Sequence, residues 1–410
     1  MTMLRHTAFF EALGALEDNS YPARRVTAGL VVLRLVDSAV VNGRKGLRDA
    51  ALSLRPVREV VEALSEPDVV RRPLMSIIDL IGRSTGPLAP ESISRLLIEY
   101  GKALELDGRW RLAMDVFGSA AELDSSIAVD AGIMLGAAAR RAGDWSASLQ
   151  AYAHAVNGAG RTGNVARALQ AEVGIANTYL AQGELLAADD LLSSVISEAD
   201  ELNLTEVKSL GLHSSASVAH HRGLYADAVE RAYGALQLTR DAASRDMILT
   251  DIAAAFAEMG LRDSARDAHL ITSVTTASPT VRAAATLNLL ELAGLDGMEA
   301  AFDSYAAQLA GMHLEARYQA YYLLYLGQGQ VRLGRSPEAT VTLELARQYS
   351  AANGIEQVLR ESDEAIKSLT ASVASKPAAR PTAPAIEIAE STRRIASEIT
   401  QMRELALSAS

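Results

Sequence analysis

The sequence predicts an all-α protein, a solenoid of about seven helical hairpins with a helical N-terminal cap. A short glycine-containing motif recurs every 34 to 40 residues over most of the 410-residue chain. Ala and Leu, both strong helix formers, are abundant, whereas aromatic residues make up only 5%. No sustained run of β-branched and aromatic residues alternates with polar ones, as the strands of a half-buried sheet would require.

The recurring motif is a glycine followed, five residues later, by Ala or Ser. Its glycines are Gly108, Gly143, Gly183, Gly223, Gly260, more weakly Gly294, and Gly334. Each follows one helix-periodic stretch and precedes another, so we predict that it takes the left-handed conformation that ends the first helix of a hairpin. Two sets of small residues are expected where the helices cross closely. They are Ala113, Ser148, Ala188, Ala228, Ala265 and Ala339 after the turns, and Gly101, Gly136, Ala176, Ala216, Ala253 and Gly327 before them.

This pattern resembles the tetratricopeptide repeat over residues 92–350. The clearest unit, residues 171–195, carries Ala176, Asn177, Tyr179, Gly183, Ala188 and Leu192 at the family's spacing. The 40-residue units exceed the family's usual length of about 34, and such lengthened repeats are similar to those of bacterial peptide-sensing regulators and large transcription activators. The resemblance implies a right-handed solenoid whose first helices line a concave groove. A HEAT-like array is the alternative solenoid, and the sixth unit departs from the pattern with Glu299 at its small-residue position.

Residues 1–90 lack the motif and are expected to form an irregular helical cap or a small bundle. Helices are predicted at 22–41 and 56–64, because proline is tolerated in a first helical turn, and a breaker cluster at 85–90 marks the boundary. The solenoid then spans residues 91–369.

The C-terminal region divides into a Pro/Ala-rich linker at 370–385 and an amphipathic helix at 386–410. Ile388, Ile395 and Met402 recur every seven residues in this helix, with Ile399 and Leu405 nearby. The helix either folds back as a terminal cap or serves as a detachable element for dimerisation or partner docking.

The sequence offers no pattern of an active site. It contains no Cys, and it has no phosphate-binding loop and no nucleophile elbow. His213 and His220 lie seven residues apart, about 10 Å along a helix, which is too far for one metal ion without a ligand between them. We therefore expect a protein that is not an enzyme, with no catalytic residue, metal or cofactor. Without a signal peptide or membrane span, a cytoplasmic protein is expected, and the Arg- and Ala-rich composition suggests a bacterial genome rich in G and C.

The charge is unevenly distributed. The chain has a net charge of −11, which disfavours nucleic acid as the partner of the whole protein. Residues 21–58, however, carry eight basic residues against two acidic ones, a local charge of +6. A DNA-contacting segment therefore stays open as an alternative, although a solvated arginine face or pairing with acidic residues of the array is favoured.

The tetratricopeptide resemblance also implies a peptide-binding surface. In that family an Asn just after the small residue of the first helix often bonds to the backbone of a bound peptide, and Asn177 matches this position. Asn288 matches it if the sixth register is correct. Equivalent positions, or positions one turn on, hold Lys102, Arg140, Ser217, His220 and Gln328. An amide suits this role because it donates and accepts hydrogen bonds at once.

From these features we expect a regulatory protein-interaction module or scaffold that holds a peptide or helix of another protein. Self-association through the C-terminal helix is a further option. The alternative function is a peptide- or ligand-responsive transcription regulator that uses the basic N-terminal segment. No membrane partner is expected.

Overall fold

The computed structural model describes residues 5–41, 43–372 and 388–409. These residues form twenty α-helices. The chain divides into two compact units between Val207 and Lys208, near the start of the eleventh helix.

The helices of the first unit are α1 (Thr7–Gly14), α2 (Tyr21–Val41), α3 (Gly43–Glu62), α4 (Arg71–Arg83), α5 (Pro90–Leu106), α6 (Trp110–Ala121), α7 (Ala128–Arg141), α8 (Trp145–Thr162), α9 (Val165–Gln182) and α10 (Leu185–Glu201). Those of the second unit are α11 (Thr205–His221), α12 (Tyr225–Leu238), α13 (Ala242–Glu258), α14 (Arg262–Thr275), α15 (Pro279–Asp296), α16 (Glu299–Ala310), α17 (Ala316–Arg332), α18 (Ser336–Ala352), α19 (Glu356–Ser372) and α20 (Glu390–Ala409).

A glycine in the left-handed conformation closes each predicted hairpin. The φ angles of the turn glycines range from 68° to 83°. A Cβ atom at any of them would meet no neighbouring atom, so the backbone conformation and not crowding requires glycine there. The turn glycines are Gly108, Gly143, Gly183, Gly223, Gly260, Gly297 and Gly334.

The sixth turn corrects the sequence prediction by three residues. The turn glycine is Gly297, whereas Gly294 lies inside α15. Gly294 instead marks a close helix crossing, because a Cβ atom there would lie 3.0 Å from the Cα atom of Gly329 on α17. Phe302 of α16 packs against both glycines. Two glycines three residues apart look alike in sequence, and only the packing distinguishes a turn from a crossing.

The small residues predicted at the helix crossings are all buried, in both sets. Three of the early positions are glycines, and in each case the paired helix brings a large side chain against the bare backbone. A Cβ atom at those glycines would lie only 2.3 to 2.8 Å from that side chain. The pairs are Gly101 with Phe117, Gly136 with Tyr152, and Gly327 with Leu343.

The N-terminal helices agree only partly with expectation. The predicted helix at 22–41 is α2, and the predicted breaker separates α4 from α5, which has Pro90 in its first turn. The predicted start of the next helix at residue 56 is wrong, because α3 begins at Gly43 and contains Pro56 in its interior. Proline leaves the carbonyl group of the residue four positions earlier without its helical partner. That residue is Leu52, whose side chain is 84% exposed, so water can reach this part of the helix.

Several arginines of the basic segment pair with carboxylates of their own unit. Arg25 contacts both Asp68 at 2.9 Å and Asp107 at 2.8 Å. Two further ion pairs start from α3: Arg55 pairs with Glu59 of the same helix, and Arg58 pairs with Asp79 of α4. The helices that carry these arginines, α2 and α3, have 21 and 20 residues and are longer than the two short helices of a helix-turn-helix motif.

The C-terminal helix returns to the middle of the second unit. The predicted linker lies outside the described residues except at its start, where α19 continues to Ser372. Among the described residues, helix α20 makes its main contacts with α12 and α14, whereas a cap of the last hairpin would make them with α18 and α19. Ile395 and Ile399 are buried, whereas Leu405 is 70% exposed. The predicted apolar stripe is therefore only partly used for this contact.

Candidate peptide-binding site

The first helix of each hairpin carries the candidate site residues. In the first unit these helices are α5, α7 and α9, and in the second unit they are α11, α13, α15 and α17. Apart from α15, each such helix buries its small residue against its hairpin partner, so the residue one position later lies at the edge of that contact. Lys102 is exposed, and the other candidate residues are half-buried, as expected for side chains that line a surface.

A recess in the second unit brings two of the candidates together. Ser217 and His220 of α11 line it with His221 and with Asp251 of α13. Its remaining wall consists of alanines from three helices, Ala216, Ala228, Ala232 and Ala254. These short side chains leave space that longer ones would fill, while the polar groups stand around it.

The polar groups of the recess are held by specific hydrogen bonds. His213, one turn before Ser217, donates from Nε2 to the Asp251 carboxylate at 2.7 Å and so links α11 to α13. His221 donates from Nδ1 to the backbone carbonyl of Ser217 at 2.8 Å. The His220 ring packs edge-on against Tyr225, with ring centroids 5.2 Å apart. The Asp251 side chain remains 48% exposed, so its carboxylate can accept further hydrogen bonds from a ligand.

The size of the recess restricts what it can bind. Its volume is about 100 Å³, well below the roughly 300 Å³ at which small-molecule pockets begin. One side chain of a peptide fits this space, with the alanines contacting its apolar part. The imidazole groups and the carboxylate can hydrogen-bond to the peptide backbone or to a polar side chain.

The first unit places its three candidates on successive first helices. Lys102 lies on α5, Arg140 on α7 and Asn177 on α9. An ion pair of 3.0 Å between Arg141 and Glu105 joins α7 to α5 beside them. Burial raises the pKa of Glu105 even though the charges of Arg141 and Lys102 lower it. This face therefore carries both signs of charge.

Arg140 has a structural partner that sequence reasoning did not identify. Its positive charge interacts with Tyr152, whose ring lies between Gly136 of α7 and Gly174 of α9. Burial raises the pKa of Tyr152, and the positive charge of Arg140 acts in the opposite direction. The guanidinium group thus stabilises the tyrosine that lies between α7 and α9. Arg140 therefore has a structural role in addition to the predicted ligand-binding role.

Asn288 and Gln328 do not line the recess. Asn288 lies on α15, but the correction of the turn to Gly297 shifts the position equivalent to Asn177 to Glu291. Burial raises the pKa of Glu291, and the nearby carboxylate of Glu361 raises it further. Gln328 lies half-buried on α17.

Asp251 is the recess residue that sequence reasoning missed. It stands two residues before the small residue Ala253, on the face that Ala254 also lines. The signal that could have identified it is a polar residue in an Ala-rich stretch of a first helix, one turn from the family's Asn position. From the sequence, His213 was considered with His220 only as a metal-binding pair, and His221 was not assigned to the site.

The described part of the chain offers neither a metal site nor a membrane-spanning helix. No three His, Asp or Glu side chains come together there in an arrangement that could hold a metal ion. Among the same residues, no helix has the length and apolar character needed to cross a membrane.

Comparisons with solved structures return helical proteins of low sequence identity. A signal transduction ATPase with a tetratricopeptide repeat sensor from Pyrococcus horikoshii aligns with a TM-score of 0.49 and 13% identity, over 87% of this chain and 56% of that one. The apo form of RapI aligns with a TM-score of 0.44 and 10% identity, over 86% and 98% of the two chains. NprR in complex with its cognate peptide NprX aligns with a TM-score of 0.41 and 12% identity, over 89% and 92%.

No family profile matches the sequence, and no curated protein does. The tetratricopeptide-like character of the hairpins rests on their own geometry, namely the left-handed turn glycines and the buried small residues on both sides of six of the seven turns.

Proposed function

We propose that this chain is a regulatory protein-interaction module that binds an extended peptide segment of a partner along its first helices. The observation that carries the proposal is the recess between α11 and α13. It combines an alanine-lined space of about 100 Å³ with imidazole and carboxylate groups at its edge. An extended peptide presents alternating side chains and backbone amides, and this recess offers a complement to both.

The chemistry of the recess favours a peptide over a small cofactor. One side chain of the peptide enters the space between Ala228 and Ala254, and Asp251 accepts a hydrogen bond from a backbone N–H or a donor side chain. A single side-chain recess and a few backbone contacts each contribute only a modest binding free energy. The affinity for a peptide therefore comes from several positions along the first helices.

Selection of peptides from a random display library on the immobilised full chain tests the proposal. The matched variants are Ser217→Arg, which places a long side chain in the recess, and Ser304→Arg, which makes the same change at an exposed position of α16. We expect selected peptides to bind the wild-type chain and Ser304→Arg equally, and Ser217→Arg at least about tenfold more weakly, a loss of about 1.4 kcal/mol.

Circular dichroism of both variants establishes that their helical content is retained. Equal binding to both variants would locate the peptide elsewhere on the chain. A selection that enriches no peptide over an unrelated immobilised protein would contradict peptide binding altogether.

A transcription regulator that uses the basic segment to contact DNA has less support. Arg25, Arg55 and Arg58 each engage a carboxylate of the first unit. A cation that already pairs with a carboxylate must exchange that partner for a phosphate, which reduces the net gain from counterion release.

A further inference from the structure

The C-terminal helix is bound to the second unit as a ligand would be. Its contact surface, here called the α20 seat, lies on α12 and α14, the second helices of two successive hairpins. Ile395 and Ile399 insert into the apolar cluster that includes Leu236 and Ile271. Both isoleucines are almost fully buried, with 2% and 0% exposure, so burial of apolar surface provides the main attraction.

Polar contacts define which helix fits the α20 seat. Asp267 of α14, itself 6% exposed, accepts hydrogen bonds from Thr400 Oγ1 at 2.7 Å and from Arg403 at 2.8 Å. On α12, the Tyr233 hydroxyl donates to the Glu398 carboxylate. A purely apolar cap needs none of these groups. A buried carboxylate without a cationic partner is strongly unfavourable, so a helix that lacks the arginine is rejected.

The recognised pattern falls on one face of an α-helix. Ile395 and Ile399 are four residues apart, and Arg403 follows four residues later. Such i, i+4 spacing is the usual signature of an amphipathic helix that lies in an apolar groove. The seat therefore recognises two aliphatic side chains and one arginine on three successive turns.

Two features indicate that α20 can leave the seat. Residues 373–389 separate it from α19, and at roughly 3.3 Å per residue this stretch can span about 55 Å, so α20 can move away while α19 stays folded. In addition, the outer flank of α20 is open to solvent where it meets Tyr233 of α12. Tyr233 is the seat residue on this flank, and the other lining residues, Met402 and Leu405 among them, belong to α20 itself, so an incoming helix can reach Tyr233 while α20 is still bound.

We propose that the α20 seat is a second protein-interaction site that binds an amphipathic helix of a partner, with α20 as its intramolecular competitor. The partner helix carries the same three anchors, two aliphatic residues four apart and an arginine four residues beyond the second. Because α20 belongs to the same chain as the seat, it competes at a high effective concentration, and only a partner that exceeds this competition occupies the seat. The site lies on second helices and is separate from the recess between α11 and α13.

A labelled synthetic peptide of residues 388–409 serves as the probe, and the full chain is used throughout. Arg403→Ala in the chain removes the cation from α20 but leaves the seat intact, so the unmodified peptide supplies what the chain lacks. We expect the peptide to bind Arg403→Ala or Ile399→Asp at least about tenfold more tightly than the wild-type chain. Leu407→Asp, which changes a 47% exposed residue of α20, is the matched control and should behave as wild type.

A second experiment varies the peptide and not the chain. A peptide with Arg403→Ala should bind the Ile399→Asp chain at least about tenfold more weakly than the unmodified peptide. If the Ile399→Asp chain shows a loss of helical circular dichroism, the Arg403→Ala chain is used alone. The Arg403 guanidinium group is partly exposed in the wild-type chain, so its removal should leave the fold intact.

Three results would overturn the proposal. If the Arg403→Ala chain is folded and does not bind the peptide, α20 is a fixed part of the second unit and not a displaceable ligand. Equal binding of the peptide to wild type and variants would place its site away from the seat. If light scattering shows a wild-type dimer that Ile399→Asp converts to a monomer, the occupant is the helix of a second copy and not that of a different protein.

Discussion

Replacement of Gly174 by alanine tests whether the close approach of the first helices determines the stability of the first unit. Gly174 lies inside α9, and a Cβ atom there would lie 2.2 Å from the ring of Tyr152. Ordinary carbon–carbon contacts begin near 3.5 Å, so the ring or the helix must shift by about 1 Å. The ring cannot retreat easily, because Gly136 of α7 lies close on its other side.

The expected magnitude follows from two opposing effects. Overpacking of this kind costs about 1 to 3 kcal/mol, whereas alanine in place of glycine in a helix interior gains about 1 kcal/mol. We therefore expect Gly174→Ala to destabilise the first unit by up to about 2 kcal/mol. Gly160→Ala is the matched control, because Gly160 lies inside α8 with no atom near its would-be Cβ. This change should stabilise the unit by up to about 1 kcal/mol.

Hydrogen exchange read by mass spectrometry suits this test better than a single melting curve, because a repeat array of two units need not unfold in one step. Amides of α7 to α9 should exchange faster in Gly174→Ala and no faster in Gly160→Ala. A second variant, Tyr152→Leu, should make Gly174→Ala less harmful, because the smaller side chain leaves room for the methyl group. If Gly174→Ala protects these helices as well as Gly160→Ala does, the close packing of the ring is refuted as the reason for glycine.

Three further predictions concern other parts of the chain. His6 is held by Asp115 at 2.5 Å and Asp37 at 3.1 Å, and although burial acts to lower its pKa, these carboxylates raise it to about 9. Because the pKa of folded His6 lies above its unfolded value of about 6.5, its ion pairs stabilise the fold by about 2 kcal/mol after screening. This contribution is complete below pH 6.5 and is lost as the pH rises through 9. Melting temperatures measured from pH 6 to 10 should show the loss, and His6→Gln should reduce this pH dependence. Gly297→Ala should destabilise the sixth hairpin by about 1 to 2 kcal/mol, because alanine is disfavoured at a φ of 68°, and unchanged urea unfolding would contradict this turn assignment. Pro56→Ala should stabilise α3 by about 1 to 3 kcal/mol, measured as a higher melting temperature, and a lower one would mean that the proline fits the helix better than alanine does.

The N-terminal helices show where sequence reasoning was incomplete. A proline is commonly read as the first turn of a helix, which led to the predicted start at residue 56. The cost of Pro56 inside α3 is local, whereas the apolar residues on both sides of it, such as Ala50 and Val61, are buried in one core. Tertiary burial over the whole helix therefore outweighs a single unfavourable position.

The candidate site was foreseen at the level of helix positions only. Ser217 and His220 were placed on a first helix from their register, and the structure brings them into one recess. Asp251 was not foreseen, because its role depends on the packing of α13 beside α11. Asn288 was assigned through a turn at Gly294, and the correction to Gly297 removes the basis of that assignment.

Features that depend on local conformation or on the spacing within one hairpin can be predicted from the residues alone. A left-handed turn requires glycine, and a close crossing requires Gly, Ala or Ser, so Gly183, Ala176 and Ala188 could be identified without coordinates. The tertiary structure alone decided the contacts between elements far apart in the chain. Asp267 and Arg403 are separated by 136 residues, and no periodicity relates them. Their pairing depends on where α20 returns to the second unit, which is set by the shape and charge of α12 and α14 together.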